Sequence, residues 1–296
     1  MIRASLASYV ALMKLRVVEL LLVTTLPALF LATYAQNHSR TLPGLGVTLA
    51  TLVGGTLAAG ASNAFNMIIE VDADRLMKRT DNRPLVNGDL TKKQAMIFAL
   101  ALTLMSLTIF YLFTTLLATA LTLAAIIFYV FGYTMALKKR TSQNIVWGGI
   151  AGCMPVLIGW AAVTNSLSTT AWFFFLMIFF WTPPHFWALA IKYKDDYAAA
   201  GIPMLPVVAS IKSVQKQMWF HTVFMVISSL LVLKSAHLGW WIWVITIAMA
   251  VGFGIQLSKI TGVESERSAA KLFHWSITYL SVYSLLLVVG VLVAPK

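Results

Sequence analysis

Apolar runs of about 20 residues recur along this chain, and that length leaves the backbone few options. No water reaches the hydrocarbon core to satisfy peptide N–H and C=O groups, so a crossing segment must be a helix or part of a closed barrel. The runs are continuously apolar and lack the alternation of barrel strands, which excludes the barrel. Nine spans are predicted, at 12–34, 46–69, 94–113, 115–136, 145–164, 170–191, 217–236, 239–257 and 273–294. Very short connections occur at Thr114 and Gly239, whereas 70–93, 137–144, 192–216 and 258–272 are longer and polar. The expected fold is an all-α, polytopic membrane bundle forming a single domain over 1–296.

The first run, Val17 to Ala35, follows Arg3, Lys14 and Arg16 and ends in "ATYAQ", a loose match to a signal-peptide cleavage site. It exceeds the usual signal core of about 7 to 15 residues, so a retained helix is expected. The single cysteine, Cys153, lies in an apolar run. That excludes a disulfide framework and a thiolate metal site, and leaves Cys153 a packing role.

The net charge of +12 would suggest nucleic acid in a soluble protein, but no basic, aromatic-interleaved globular segment exists to hold it. Loop placement explains it instead. With the nine spans in place, 19 of the 22 Lys and Arg residues fall on one side, leaving only Arg40, Lys234 and Lys296 on the other. Lys and Arg concentrate in cytoplasmic loops, so the N-terminus is predicted cytoplasmic and the C-terminus outside. Nine of the ten acids share the cytoplasmic side, and the tenth, Glu19, lies early in the first span. A charged site facing the cytoplasm is expected at the ends of the second, fourth and sixth spans.

The densest cluster is "NMIIEVDADRLMKRTDNRPL" at 66–85. If the second helix continues past Asn66, then Asn66, Glu70 and Asp74 stack their oxygens along one face at i, i+4 and i+8. Such hard oxygen ligands suit Mg²⁺ bridging to substrate phosphates. Asp72 points to the other face, within reach of Arg75 or Lys78. Arg75, Lys78, Arg79 and Arg83 supply the charge that grips a polyanion. An ordinary solvated loop of self-paired charges is the competing reading, and three aligned ligands weigh against it.

Two further clusters sit at comparable depth. "IKYKDDYAAAGIPMLP" carries Lys192, Tyr193, Lys194, Asp195, Asp196 and Tyr197, followed by a turn at Gly201, Pro203 and Pro206. "GYTMALKKRTSQN" carries Tyr133, Lys138, Lys139, Arg140 and Asn144, which also reads as a positive-inside anchor. His185 follows Pro183 and Pro184 inside an apolar span. It is either a functional group or a donor to a carbonyl freed by the prolines. His221 and His274 lie near cytoplasmic helix ends and His38 and His237 near the outer face, with no spacing that singles them out.

"EVDADRLMKRTDNRPL", "YTMALKKRTSQNIVWGGIAG", "TPPHFWALAI" and "DYAAAGIPMLP" together resemble the protoheme IX farnesyltransferases (haem O synthases), a branch of the UbiA-type intramembrane prenyltransferases. The likeness implies a nine-helix bundle whose lipid-open cavity takes haem b and farnesyl diphosphate, with Mg²⁺ as cofactor, in the cell inner membrane. It places the family's Asn-x₃-Asp-x₃-Asp metal motif, with its catalytic role, on Asn66, Glu70 and Asp74. Glu70 keeps the carboxylate of the middle position and lengthens its reach. The second motif, Asp-x₃-Asp, is incomplete, because Ala199 and Ala200 follow Asp195 and Asp196 at the required spacing. These two acids remain candidate metal ligands. "KLR" at 14–16 also departs from the branch's usual Lys-Pro-Arg.

The resemblance assigns Arg75, Arg79, Arg83, Tyr133, Lys138 and Arg140 to the diphosphate, with Lys138 also catalytic, and His185 and Tyr193 to haem. It further implies haem A synthase as a partner and no nucleic acid. Readings left open are another acceptor, such as a quinone precursor, or transport of an anionic lipid or divalent ion. A transporter would carry its charges near the bilayer midplane, and here they gather at one face. A lipid-alcohol phosphotransferase ranks lower, since its Asp-Gly-x₂-Ala-Arg signature is missing.

Overall fold

The computed structural model describes residues 5–37, 39–261 and 265–294. Arg3, His38, Glu264 and Lys296, used above in assigning sides, lie outside them. Among the described residues there is no β-strand, and nine helices are long and apolar enough to cross a membrane. They are α2 (Leu15–Asn37), α3 (Leu45–Asp74), α5 (Lys92–Phe113), α6 (Leu116–Ile127) with its continuation to Leu137, α7 (Asn144–Thr164), α8 (Thr169–Lys192), α11 (Ile211–Ser235), α12 (Trp240–Ser258) and α13 (Ser265–Val293). Short helices α1 (Leu6–Met13), α4 (Pro84–Asn87), α9 (Lys194–Ala199) and α10 (Leu205–Val208) occupy the connections.

All nine expected spans are present, but several helices outrun them. Hydropathy marks the thickness of hydrocarbon, whereas a helix continues as long as its backbone bonds are made, so α3 runs to Asp74 and α13 begins at Ser265. The first span starts later than expected. Lys14 adopts a left-handed conformation at φ 51°, and its N–H donates to Ala11 O, which separates α1 from α2. The predicted turn at Gly201 is a left-handed glycine at φ 63° between α9 and α10.

Helices α7 and α8 are buried along most of their length. α8 packs against α7, α11 and α13, while α2 leans on α7 and α3 on α5. Trp160, Phe174, Trp187, Tyr279 and Tyr283 fill the centre. Cys153 is buried as expected, its thiol donating to Gly149 O at 3.0 Å. The perimeter turns Leu100, Leu104, Val244 and Val251 outward, as a lipid-facing surface requires.

Between membrane helices the driving force is close packing and hydrogen bonding, since lipid is as apolar as leucine. The α3/α5 seam shows both. A Cβ on Gly54 would lie 2.8 Å from the Phe110 ring, and Ser106 Oγ donates to Gly54 O at 2.7 Å. Gly54→Val is expected to destabilise the protein by about 1–3 kcal/mol through overpacking, and Ser106→Ala by about 0.6 kcal/mol. Thermal unfolding in detergent checks the order of the two.

Candidate active site

The continuation of α3 to Asp74 brings Asn66, Glu70 and Asp74 onto one buried stripe, each less than 4% exposed. Asp72, off that face, is exposed and meets only Arg75, at 3.5 Å. A buried carboxylate needs a partner, and each stripe residue finds one on a different element. Glu70 Oε2 accepts from Lys138 Nζ at 2.5 Å, and Asp74 Oδ2 from Arg83 at 2.5 Å. Asn66 Oδ1 accepts from Lys14 Nζ at 2.9 Å, and its amide donates to Thr134 Oγ1 at 3.3 Å. Asp74 Oδ1 is buried without a hydrogen-bond partner. Such an orphaned oxygen, on the residue that closes a stripe of hard oxygen donors, fits a divalent cation.

Lys138 reaches Glu70 because of an unusual backbone. From Phe128 to Leu137 the helix is π-helical, closing i→i+5 bonds such as Lys138 N to Tyr133 O at 2.9 Å. At about 100° per residue an α-helix would put Tyr129 and Lys138 on opposite sides. The wider ladder, about 4.4 residues per turn, returns Tyr129, Tyr133, Thr134 and Lys138 to a shared face. Tyr133 packs against α7, where a Cβ on Gly148 would sit 2.2 Å from its ring. The carbonyl of Lys138 accepts from Asn144 Nδ2 at 3.1 Å.

Lys14 was not singled out as a site residue by sequence. Its strained backbone is held by Asn63, whose amide donates to Met13 O at 2.9 Å. Burial, reinforced by Arg83 and Lys138, pushes its ammonium well below the usual lysine range, against the opposing pull of Glu70 and Asp74. The "KLR" departure gave the only signal, and it concerned the residue after Lys14.

Arg79 is clamped between loops. Its N–H donates to Asp196 Oδ2 at 3.2 Å, its guanidinium donates to Tyr197 Oη at 3.5 Å and lies over the Tyr193 and Tyr197 rings. Asp196 therefore secures the 75–83 loop, and Asp195 is exposed. The structure does not bring these two acids to the stripe as a second ligand set; among the described residues no group of three His, Cys, Asp or Glu side chains is arranged to hold a metal.

A cavity of about 330 Å³ opens at Asn66, the stripe residue that lines it. Lys14, Asn66, Arg79, Arg83, Tyr133 and Lys138 line its polar end; the rest is mostly Leu, Ala, Gly and Thr from α2, α3, α6, α7 and α8. Arg75 and Arg140, expected at the diphosphate, are exposed and do not line it. His185 is turned away as well. It is stacked between Trp181 and Phe273, with ring centroids 4.3 and 4.6 Å away. Ser276 Oγ donates to Phe273 O, so His185 Nδ1 donates to Ser276 Oγ at 2.7 Å. The histidine thus joins α8 to α13, and neither a cavity-facing position nor a proline-freed carbonyl accounts for it. Its apolar stacking partners are the physical reason.

Residues 21–277 match the model of the UbiA prenyltransferase family. The chain belongs to the UbiA prenyltransferase family. It is 46% identical over 295 residues to the protoheme IX farnesyltransferase of Streptomyces coelicolor, covering 97% of this chain and 91% of that protein. Its fold matches the digeranylgeranylglyceryl phosphate synthase structure with a TM-score of 0.78 at 17% identity, over 97% and 98% of the two chains. It also matches the UbiA homologue of Archaeoglobus fulgidus bound to GPP and Mg²⁺, with a TM-score of 0.68 at 17% identity, over 95% and 99%.

Within this UbiA-type site, Lys138 and Glu70 are mutually dependent. In metal-free buffer Lys138→Met is expected to lose about 3 kcal/mol, because it strands a buried carboxylate. Adding Glu70→Gln restores most of the loss, and a double-mutant cycle by chemical unfolding measures it.

Proposed function

We propose that this chain is a protoheme IX farnesyltransferase, joining the farnesyl group of farnesyl diphosphate to the 2-vinyl group of haem b, with addition of water, to give haem O. The observation that carries the reading is the charge balance of the cavity's polar end. Glu70 and Asp74 are outnumbered by Arg79, Arg83 and Lys138, with Lys14 against Asn66, a surplus suited to a polyanion. The choice of acceptor rests on the 46% identity to a relative of that name.

Asn66, Glu70 and Asp74 would hold Mg²⁺, which neutralises diphosphate charge when bound. Arg79, Arg83, Lys138 and Lys14 grip the phosphate oxygens and stabilise the negative charge that develops as the C–O bond breaks. The farnesyl carbon then bonds to the terminal carbon of the vinyl group, diphosphate leaves with the electron pair, and water adds to the remaining cationic carbon and releases a proton. The apolar walls exclude water before that last step. Tyr193 lies under the Arg79 guanidinium, outside the cavity lining; neither it nor His185 is assigned to haem.

The chain forms one domain in the cell inner membrane, with its N-terminus and the site cytoplasmic and its C-terminus outside. Haem O would pass to a haem A synthase in the same membrane.

Incubation of the detergent-purified protein with haem b, farnesyl diphosphate and Mg²⁺, followed by mass spectrometry, tests the reaction. The expected product is haem plus farnesyl plus the elements of water, lost on chelation; prenylation of an aromatic acid instead would overturn the acceptor. Asp74→Asn is expected to lower kcat at least about 100-fold. His185→Ala, by contrast, is expected to lower the unfolding midpoint and leave haem affinity within about twofold of the native value; binding titration and thermal unfolding read the two effects separately.

A further inference from the structure

Among the lining residues farthest along their helices from the polar end are Thr25 of α2, Thr51 of α3, Thr122 of α6 and Ile158 of α7, all buried. Each threonine hydroxyl donates to a carbonyl of its own helix, to Leu21 O, Val47 O and Ala118 O at 2.8–2.9 Å. With their polar atoms satisfied, they add no unpaired donor to an apolar floor. On α3 the lining runs without interruption from Asn66 through Asn63, Ser62, Ala59, Ala58 and Gly55 to Thr51. At 1.5 Å per residue, Thr51 lies about 22 Å below Asn66 and Gly55 about 16 Å below it.

Gly55 is the open position on this path. A Cβ there would meet no heavy atom within 4 Å, unlike Gly54 beside it, whose Cβ would strike Phe110. The glycine therefore leaves space on the cavity side that any side chain would occupy.

We infer that Thr25, Thr51 and Thr122 form the stop that measures the prenyl chain, and that Gly55 sets its position by leaving the last turn of the path empty. The inference rests on the prenyl-transfer reading above. A diphosphate at Asn66 takes about 5 Å and an extended farnesyl chain about 14 Å, from standard carbon bond lengths. Together they fit above the Thr51 floor. A side chain at Gly55 raises the floor by about one helical turn, 5.4 Å, which is close to one isoprene unit and leaves room for geranyl. Removing the Thr51 or Thr122 side chain lowers it.

The test compares geranyl, farnesyl and geranylgeranyl diphosphates in the full-length protein with Mg²⁺, reading haem products by mass spectrometry and donor binding by thermal shift. For Gly55→Leu the farnesyl-to-geranyl ratio of kcat/KM is expected to fall about 10–200-fold. Thr51→Ala and Thr122→Ala are expected to raise the use of geranylgeranyl diphosphate. Gly46→Leu, an exposed glycine outside the cavity on the same helix, is expected to keep the native ratio. An unchanged ratio in Gly55→Leu, or in the threonine variants if Gly55→Leu does not fold, overturns the stop. Donor binding that follows the expected lengths without haem turnover would sink only the acceptor assignment. Absence of any donor binding would remove both readings.

Discussion

Everything at the polar end of this bundle follows from the need to compensate two carboxylates and a carboxamide buried on the last turns of α3. Exposed, Glu70 and Asp74 would be ordinary surface acids. Buried, they demand cations, and the fold supplies Lys14, Arg83 and Lys138 from three separate segments. The loop after α3, the π-helical end of the fourth span and the joint before α2 are all shaped by that demand.

This demand also separates two environments within a single cavity. Cations and tyrosine hydroxyls gather around the stripe, while glycine, alanine and back-bonded threonine line the remainder. The low-dielectric walls strengthen each charged contact at the polar end. At the same time, the small side chains leave room for an apolar chain alongside it.

Much of this was legible in the sequence. Nine apolar runs are a length signal, and length is what a bilayer reads; the i, i+4, i+8 spacing of Asn66, Glu70 and Asp74 required only that α3 continue. The π-helical register was not legible, because a 100° period puts Tyr129 and Lys138 on opposite sides and nothing in "FYVFGYTMAL" marks the wider ladder. Lys14 looked like one more topological cation until a left-handed backbone aimed it inward. His185 failed in the opposite direction. A histidine in an apolar span suggests function, yet two stacked aromatics and Ser276 consume its interactions. Arg75 and Arg140 share the composition of the true cavity cations and differ only in direction, which composition does not encode.

The order in which the partners emerge during synthesis is itself constrained by the pairing. Asp74 finds Arg83 nine residues later, but Glu70 waits 68 residues for Lys138, and Arg79 waits 118 for Tyr197. As the chain leaves the ribosome, α3 and α5 are complete before the lysine that compensates Glu70 exists. Until then Glu70, unlike Asp74, lacks the cation that it meets in the finished fold. The stripe is therefore completed only once the π-helical segment has been made.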